Sequence, residues 1–311
     1  MTQSCGSCAA ATGSEPLPVT STFATTTHRL PGIGLFAVTA GAGPLVVCLH
    51  GITANAYVWL PVMERLARTF RVVAVDQRGH GRSDRPAGAV YGAQDFAHDA
   101  IALIEALGEH KAILVGHSLG ARNALTAAVG SPRHVAAVVA IDYVPFIEVA
   151  TLDALARRVA GGDRRFASQG EVEVYLRERY PRLPDDAIER RARHGYRRDP
   201  DGTWRPLADP AAMAETCRGL RADLAPTLAM VAVPTLLLRG AHSAFVSREA
   251  FQRARELRPD LPAHEIDGAD HYVPEERPAE IAGAVADLSA SIEPRRLGEK
   301  VTIERGVSGN A

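Results

Sequence analysis

Short apolar segments alternate along this chain with longer stretches whose apolar positions recur every three or four residues. The short segments are PLVVCLH (44–50), RVVAVD (71–76), AILVGH (112–117), VAAVVAID (135–142), PTLLLRG (234–240) and PAHEIDG (262–268). The first five are apolar runs of the kind that reads as a strand buried on both faces, and PAHEIDG continues the rhythm. Helical spacing fills the gaps near 58–69, 93–107 and 118–130, again after 240, and near 278–292. Ahead of the rhythm, TFATTTHRL and GLFAVTA read as two antiparallel edge strands around a PGIG turn. The rhythm stops at about 144, and residues 145–225 show helical periodicity, many Arg and acidic residues and several Pro, with no clear buried strand. Strands alternating with helices predict a parallel sheet covered on both sides, and the interruption predicts an inserted helical cap. The expected organisation is an α/β core at 23–143 and 226–292, a cap at 144–225, a disordered tail at 1–22 and a frayed one at 293–311.

Composition changes this picture little. The 311 residues are 46% hydrophobic, enough for a sizeable core, and the formal net charge of −1 points to neither nucleic acid nor an acidic membrane surface. No apolar run approaches the roughly 20 residues of a spanning helix. The opening MTQSCGSCAAATGSEPLP lacks a basic start and an apolar core, so a soluble cytoplasmic protein is expected. The CGSC pair, Cys5 and Cys8, lacks the context of a redox, papain-type or metal motif and reads as part of the tail.

The candidate chemistry begins at GHSLG (116–120), a G-x-S-x-G sequence between a strand, AILV, and a helix, ARNALTAAV. A sharp strand-to-helix turn holds such a Ser in strained geometry, and small neighbours are needed around it. Ser118 is therefore the candidate nucleophile, with the backbone N–H of Leu119 as one oxyanion donor. LHGIT (49–53) follows the first parallel strand and offers Ile52 N–H as the second donor, with His50 shaping the turn. DQRGHGRSDRP (76–86) has neither GK[ST] nor GxGxxG, so it reads as a structural turn rather than a phosphate cradle.

These motifs resemble the α/β-hydrolase family, and the resemblance covers the chain from about 28 to 290. Its triad order is Ser, acid, His. Of the histidines after Ser118, His134 begins a strand at the wrong end, His194 lies in the cap and His264 lies inside a strand. His271, in GADHYVPEERP after the last strand, is the candidate base; His242 has no assignable role. The acid is the harder question. In many members it stands three residues after the glycine that ends the TLLLRG strand, and here that place holds Ser243, followed by Ala244. The resemblance sets AVVAIDY beside the elbow strand and TLLLRG next beyond it, so an acid at either end can reach the histidine. Asp142 ends an apolar run and wants a partner. It is the candidate acid; Glu148 is the alternative, and an Asp capping the first cap turn is the bland reading. Ser243→Ala is then expected to do little.

Longer stretches, among them HGITANAYVWLPVMERL, VVAIDYVPFIE, YLRERYPRLPDDAI and MAETCRGLRADL, are similar to amide hydrolases of bacterial vitamin B6 degradation, which also place the acid after the strand following the elbow. That resemblance implies a hydrolase needing no cofactor or metal, cleaving an enamide dicarboxylate to acetate, ammonia, carbon dioxide and succinate semialdehyde. It implies carboxylate binding by Arg158, Arg179 and Arg191 with Tyr180 beside them. Arg suits bidentate carboxylate binding, although cap acids nearly balance the cap arginines, and solvated ion pairs are the bland reading. The expected partner is a small dicarboxylate, not nucleic acid or membrane, and a homodimer is allowed for. Carboxylesterase, lactonase and carbon–carbon bond hydrolase remain rival activities, and a hydrolase-like ligand sensor is the rival from another class. Ser118 argues against dehalogenases and epoxide hydrolases, which use an Asp nucleophile on this fold.

Overall fold

The computed structural model describes residues 22–88 and 90–292. The CGSC tail and the tails expected at 1–22 and 293–311 lie outside the described residues, apart from Thr22. The chain opens with β1 (Ala24–Leu30) and β2 (Ile33–Ala40), an antiparallel pair turning at Gly32 with φ 77°. There follow β3 (Leu45–Leu49), α1 (Leu60–Leu66), β4 (Arg71–Val75), α2 (Ala93–Ala106), β5 (Ala112–His117), α3 (Leu119–Gly130) and β6 (Val135–Ile141). The insertion holds α4 (Val149–Ala160), α5 (Gln169–Arg179), α6 (Asp185–Gly195), β7 (Tyr196–Arg198), β8 (Trp204–Pro206) and α7 (Pro210–Gly219). The sheet resumes after α8 (Ala225–Met230) with β9 (Thr235–Gly240), α9 (Arg248–Leu257), β10 (Ala263–Ile266), α10 (Val273–Glu276) and α11 (Pro278–Ala290).

The main sheet has eight strands in the order β1-β2-β4-β3-β5-β6-β9-β10, parallel from β4 onward. Its central strands read as unbroken apolar runs because each face is covered. In β3, Leu45, Val47 and Leu49 pack with α2 and α3 residues such as Leu103 and Leu125. Val46 and Cys48 face the other way, toward Val62, Met63, Ile281 and Val285 of α1 and α11. The predicted strands are all present. The cap departs from the expected all-helical insertion: β7 and β8 form a small antiparallel hairpin, and Phe166 bridges to Trp204. Two of the four cap helices start at capping residues: Ser168 accepts from Glu171 N ahead of α5, and Asp209 from Ala212 N ahead of Pro210 and α7.

The register decides what meets at the C-terminal edge. His117 pairs with Ile141, and Ile141 with Leu238, so Ser118 and Asp142 stand side by side at the ends of adjacent strands. Ser118 N donates to Ile141 O at 2.8 Å, and Asp142 N to Leu238 O at 2.7 Å.

Candidate active site

Three non-glycine residues among those described have positive φ: Thr53 (64°), Ser118 (52°) and Asp142 (50°). All three follow the C-terminal ends of neighbouring strands, β3, β5 and β6. Strain of this kind persists only where the surroundings over-determine the backbone, and it collects at functional sites.

Ser118 links β5 to α3 and is 3% exposed. Close approaches within the elbow, and between the elbow and β3, dictate its glycines. A Cβ on Gly116 would lie 2.3 Å from Gly120 O, and one on Gly120 would lie 2.0 Å from Leu49 O. The loop after β3 lies against the elbow, since a Cβ on Gly51 would meet the Ser118 Cβ at 3.4 Å. Among the described residues no backbone carbonyl takes the N–H of Ile52. Leu119, the first residue of α3, has no acceptor within its helix. Both oxyanion candidates thus lie at the elbow with amide groups available.

His271 Nδ1 lies 2.6 Å from Asp142 Oδ2. Asp142 is fully buried; its Oδ1 accepts from Gly240 N at 2.9 Å, and its Oδ2 also accepts from Ser243 Oγ at 2.6 Å. A proton on Nδ1 shared with the carboxylate leaves Nε2 as the basic nitrogen. The imidazole packs among His117 (4.8 Å between centroids), Phe245 (4.6 Å) and Tyr272 (5.0 Å). His117 Nε2 donates to the His271 carbonyl at 2.7 Å. Burial, and then the charge on His271, hold the His117 pKa well below its usual value, so this ring stays neutral beside the base.

The competing residues go elsewhere. His134 meets Glu105 at 3.4 Å at the opposite sheet edge, and His194 stacks on Tyr57 at 3.7 Å. His242 and His264 are exposed. Glu148, the alternative acid, is exposed and accepts from Ser247 Oγ. One expectation is corrected. Position 243 is not idle: Ser243 is 5% exposed and its hydroxyl contacts the Asp142 carboxylate directly.

A cavity of about 320 Å³ opens over this edge, lined by Gly51, Ile52, His117, Phe245 and His271 on the core side; Ser118 is next in the chain to His117, and a Cβ on Gly51 would meet its Cβ. Arg158, Arg179, Tyr180 and Arg191 line the cap side. Arg158 Nη1 donates to Tyr272 OH at 2.8 Å and Nη2 to Arg179 O at 3.1 Å; Arg179 donates to Tyr175 OH at 2.9 Å and to Arg158 O at 2.7 Å. Among the described residues, neither Arg158 nor Arg179 pairs with a carboxylate, so the solvated-ion-pair reading does not describe them. It is Arg191 whose charge is already matched. This guanidinium is 8% exposed and grips Glu275, with Nε 3.1 Å from both carboxylate oxygens and Nη2 bonded to Oε2. Arg191, expected as a carboxylate binder with the other two, lines the same cavity and differs from them in having Nε and Nη2 already engaged by Glu275. Burial opposes its charge, but Glu275 and Tyr180 hold its pKa above the usual value. Tyr180 is stacked by Arg191 at 4.6 Å and Arg158 at 4.8 Å. Burial would raise its phenol pKa, yet the charges of Arg191, Arg179 and Arg158 bring it below the usual value.

His117, Ser243, Tyr272 and Glu275 are site residues that sequence reasoning missed. Only Ser243 left a signal, as a small polar residue in the place where the family's acid is common.

Comparison with known proteins places the fold in a family. Residues 46–284 match the family described as the alpha/beta hydrolase family. The chain is 52% identical over 238 residues to 2-(acetamidomethylene)succinate hydrolase of Mesorhizobium japonicum, covering 76% of this chain and 85% of that protein. A crystal structure of E-2-(acetamidomethylene)succinate hydrolase superposes with a TM-score of 0.84 at 47% identity, covering 87% of this chain and all (100%) of that one. The thioesterase domain of a curacin biosynthetic pathway shares the fold, with a TM-score of 0.74 at 22% identity over 85% of this chain and 99% of its own. With its strand order, its elbow and its match over most of its length, the chain belongs to the α/β-hydrolase family.

Proposed function

We propose that this protein is a serine hydrolase that cleaves the enamide bond of 2-(acetamidomethylene)succinate. The observation that carries the reading is the joining, in one cavity, of an Asp142-bonded His271 above the elbow with two guanidinium groups, Arg158 and Arg179, that have no carboxylate partner. The residues around the first pair suit acyl transfer, and the second pair suits a dianion. The 52% identical relative carries the name of that activity.

In this mechanism Ser118 Oγ attacks the acetyl carbonyl while His271 Nε2 takes its proton. The N–H groups of Ile52 and Leu119 hold the developing oxyanion. His271 then returns the proton to the departing nitrogen, and Asp142 keeps the imidazole in the productive tautomer. Water, activated by His271, releases acetate from Ser118. The freed enamine tautomerises to an imine, and a second water releases ammonia and leaves an aldehyde with a carboxylate β to it. Loss of that carboxylate as carbon dioxide gives succinate semialdehyde. Only acyl cleavage requires the triad. Arg158 and Arg179, with Tyr180 and the Arg191–Glu275 pair behind them, hold the two carboxylates. The cap and core divide at about 144 and 225, so recognition lies in the cap and chemistry in the core.

The test is selectivity. Turnover should be high for the acetamido dicarboxylate and low for its monocarboxylate analogue, with one acetyl group found on Ser118 when deacylation is slowed. Equal turnover of both compounds, or an acetyl group on another residue, would reject the reading.

A further inference from the structure

The strand end that lacks an acid is not vacant, and its hydrogen-bond inventory has one solution. Ser243 Oγ accepts from Val246 N at 3.1 Å and from Phe245 N at 3.2 Å. A hydroxyl has two acceptor sites and one proton, so both acceptor sites are filled. The proton goes to the one remaining neighbour, Asp142 Oδ2, at 2.6 Å. Neither residue is open to solvent, with Ser243 5% and Asp142 0% exposed. The turn itself is held by the buried Arg239, whose Nε donates to Val246 O at 2.7 Å and Nη2 to Ser243 O at 3.0 Å.

From this geometry we infer that Ser243 is a positioning residue for Asp142: its oriented hydroxyl and Gly240 N set the rotation of the carboxylate that presents Oδ2 to His271 Nδ1. The inference rests on the proposed triad. A carboxylate turns about a broad, nearly two-fold torsion, and packing alone specifies its rotation weakly. Here Gly240 N holds Oδ1, while Ser243 Oγ and His271 Nδ1 share Oδ2, so each oxygen has an assigned partner. Ser243 acts through Asp142 and touches no reacting atom.

A double-mutant cycle on acetate release tests this. Ser243→Ala should lower kcat by about tenfold to a hundredfold, the range for losing a hydrogen bond to a charged group, with KM unchanged. On an Asp142→Ala background the same substitution should cost nothing further, because the carboxylate it orients is gone. Should Ser243→Ala fail to fold, Ser243→Thr and Ser243→Val form an isosteric pair differing in the hydroxyl, and the Thr variant should be the more active. An equal loss in both backgrounds, no loss in either, or equal activity of the Thr and Val variants would overturn the positioning role and leave the triad standing. Near-normal turnover in folded Asp142→Asn protein would overturn the triad, and this inference with it.

Discussion

Asp142 combines a positive φ, complete burial and three hydrogen-bond donors, Gly240 N, Ser243 Oγ and His271 Nδ1. Replacing it by Asn keeps the shape and removes the charge that orients the histidine, so turnover should fall about 10³–10⁴-fold, as steady-state kinetics on folded protein will show. The cap arginines separate into two kinds. Arg158→Ala and Arg179→Ala should raise KM strongly for a dicarboxylate and little for a neutral acetyl ester; equal effects on both would argue against charge recognition. Arg191→Ala should act first on stability. It leaves the Glu275 carboxylate, whose side chain is 3% exposed, without its hydrogen-bonded partner and with only Arg190 Nη2, 3.9 Å away, as a cation. Breaking such a pair costs about 3–5 kcal/mol, visible as a lower urea midpoint; an unchanged midpoint would show that the pair is not a structural tie.

At the level of elements, the short segment from His271 into α10 joins the site's two halves. His271 is the proposed base, Tyr272 OH accepts from Arg158, and Glu275 holds Arg191. A substitution here should therefore disturb recognition and turnover together. Tyr272→Phe keeps the ring beside His271 but drops the Arg158 contact, and should raise KM for the dicarboxylate with a smaller fall in kcat. A fall in kcat alone would place Tyr272 with the base rather than with recognition. Much at this scale was legible in the sequence. The central strands show as apolar runs because both sheet faces are covered, and GHSLG shows because Gly116 and Gly120 permit contacts of a kind a Cβ would block. The hairpin of β7 and β8 was not legible, since each strand has three residues, none of them buried. The Ser243–Asp142 and Arg191–Glu275 contacts were not legible either. They join positions 101 and 84 residues apart and need the register of the folded sheet and the seating of the cap. Asp142 itself was readable because an ionised group ending a buried strand demands a partner.

For the molecule as a whole, the buried histidines shape the response to acid. His50, His80 and His117 are fully or nearly buried, and burial lowers each pKa from 6.5, to about 4 for His80. The unfolded chain therefore takes protons that the folded chain refuses between about pH 6.5 and 4, and stability falls as pH drops through that window. For His80 alone this is on the order of 3 kcal/mol. Asp76 works in the opposite sense. Burial raises its pKa from 3.8 to about 6, so the folded chain holds a proton there that the unfolded chain has lost. His194, lowered to about 4, and His28, both mainly through burial, add to the first group, while Asp99 and Glu276, raised mainly by burial, add to the second. Five histidines against three acids should leave the urea midpoint lower at pH 5 than at pH 7.5; an equal or higher midpoint at pH 5 would contradict this balance. Among the described residues no helix is long and apolar enough to cross a membrane. Acetate release from 2-(acetamidomethylene)succinate tests the proposed activity most directly. The purified protein should release acetate and ammonia in equal amounts, with Ser118→Ala releasing neither above background. No acetate from folded wild-type protein, or undiminished release by Ser118→Ala, would contradict the account.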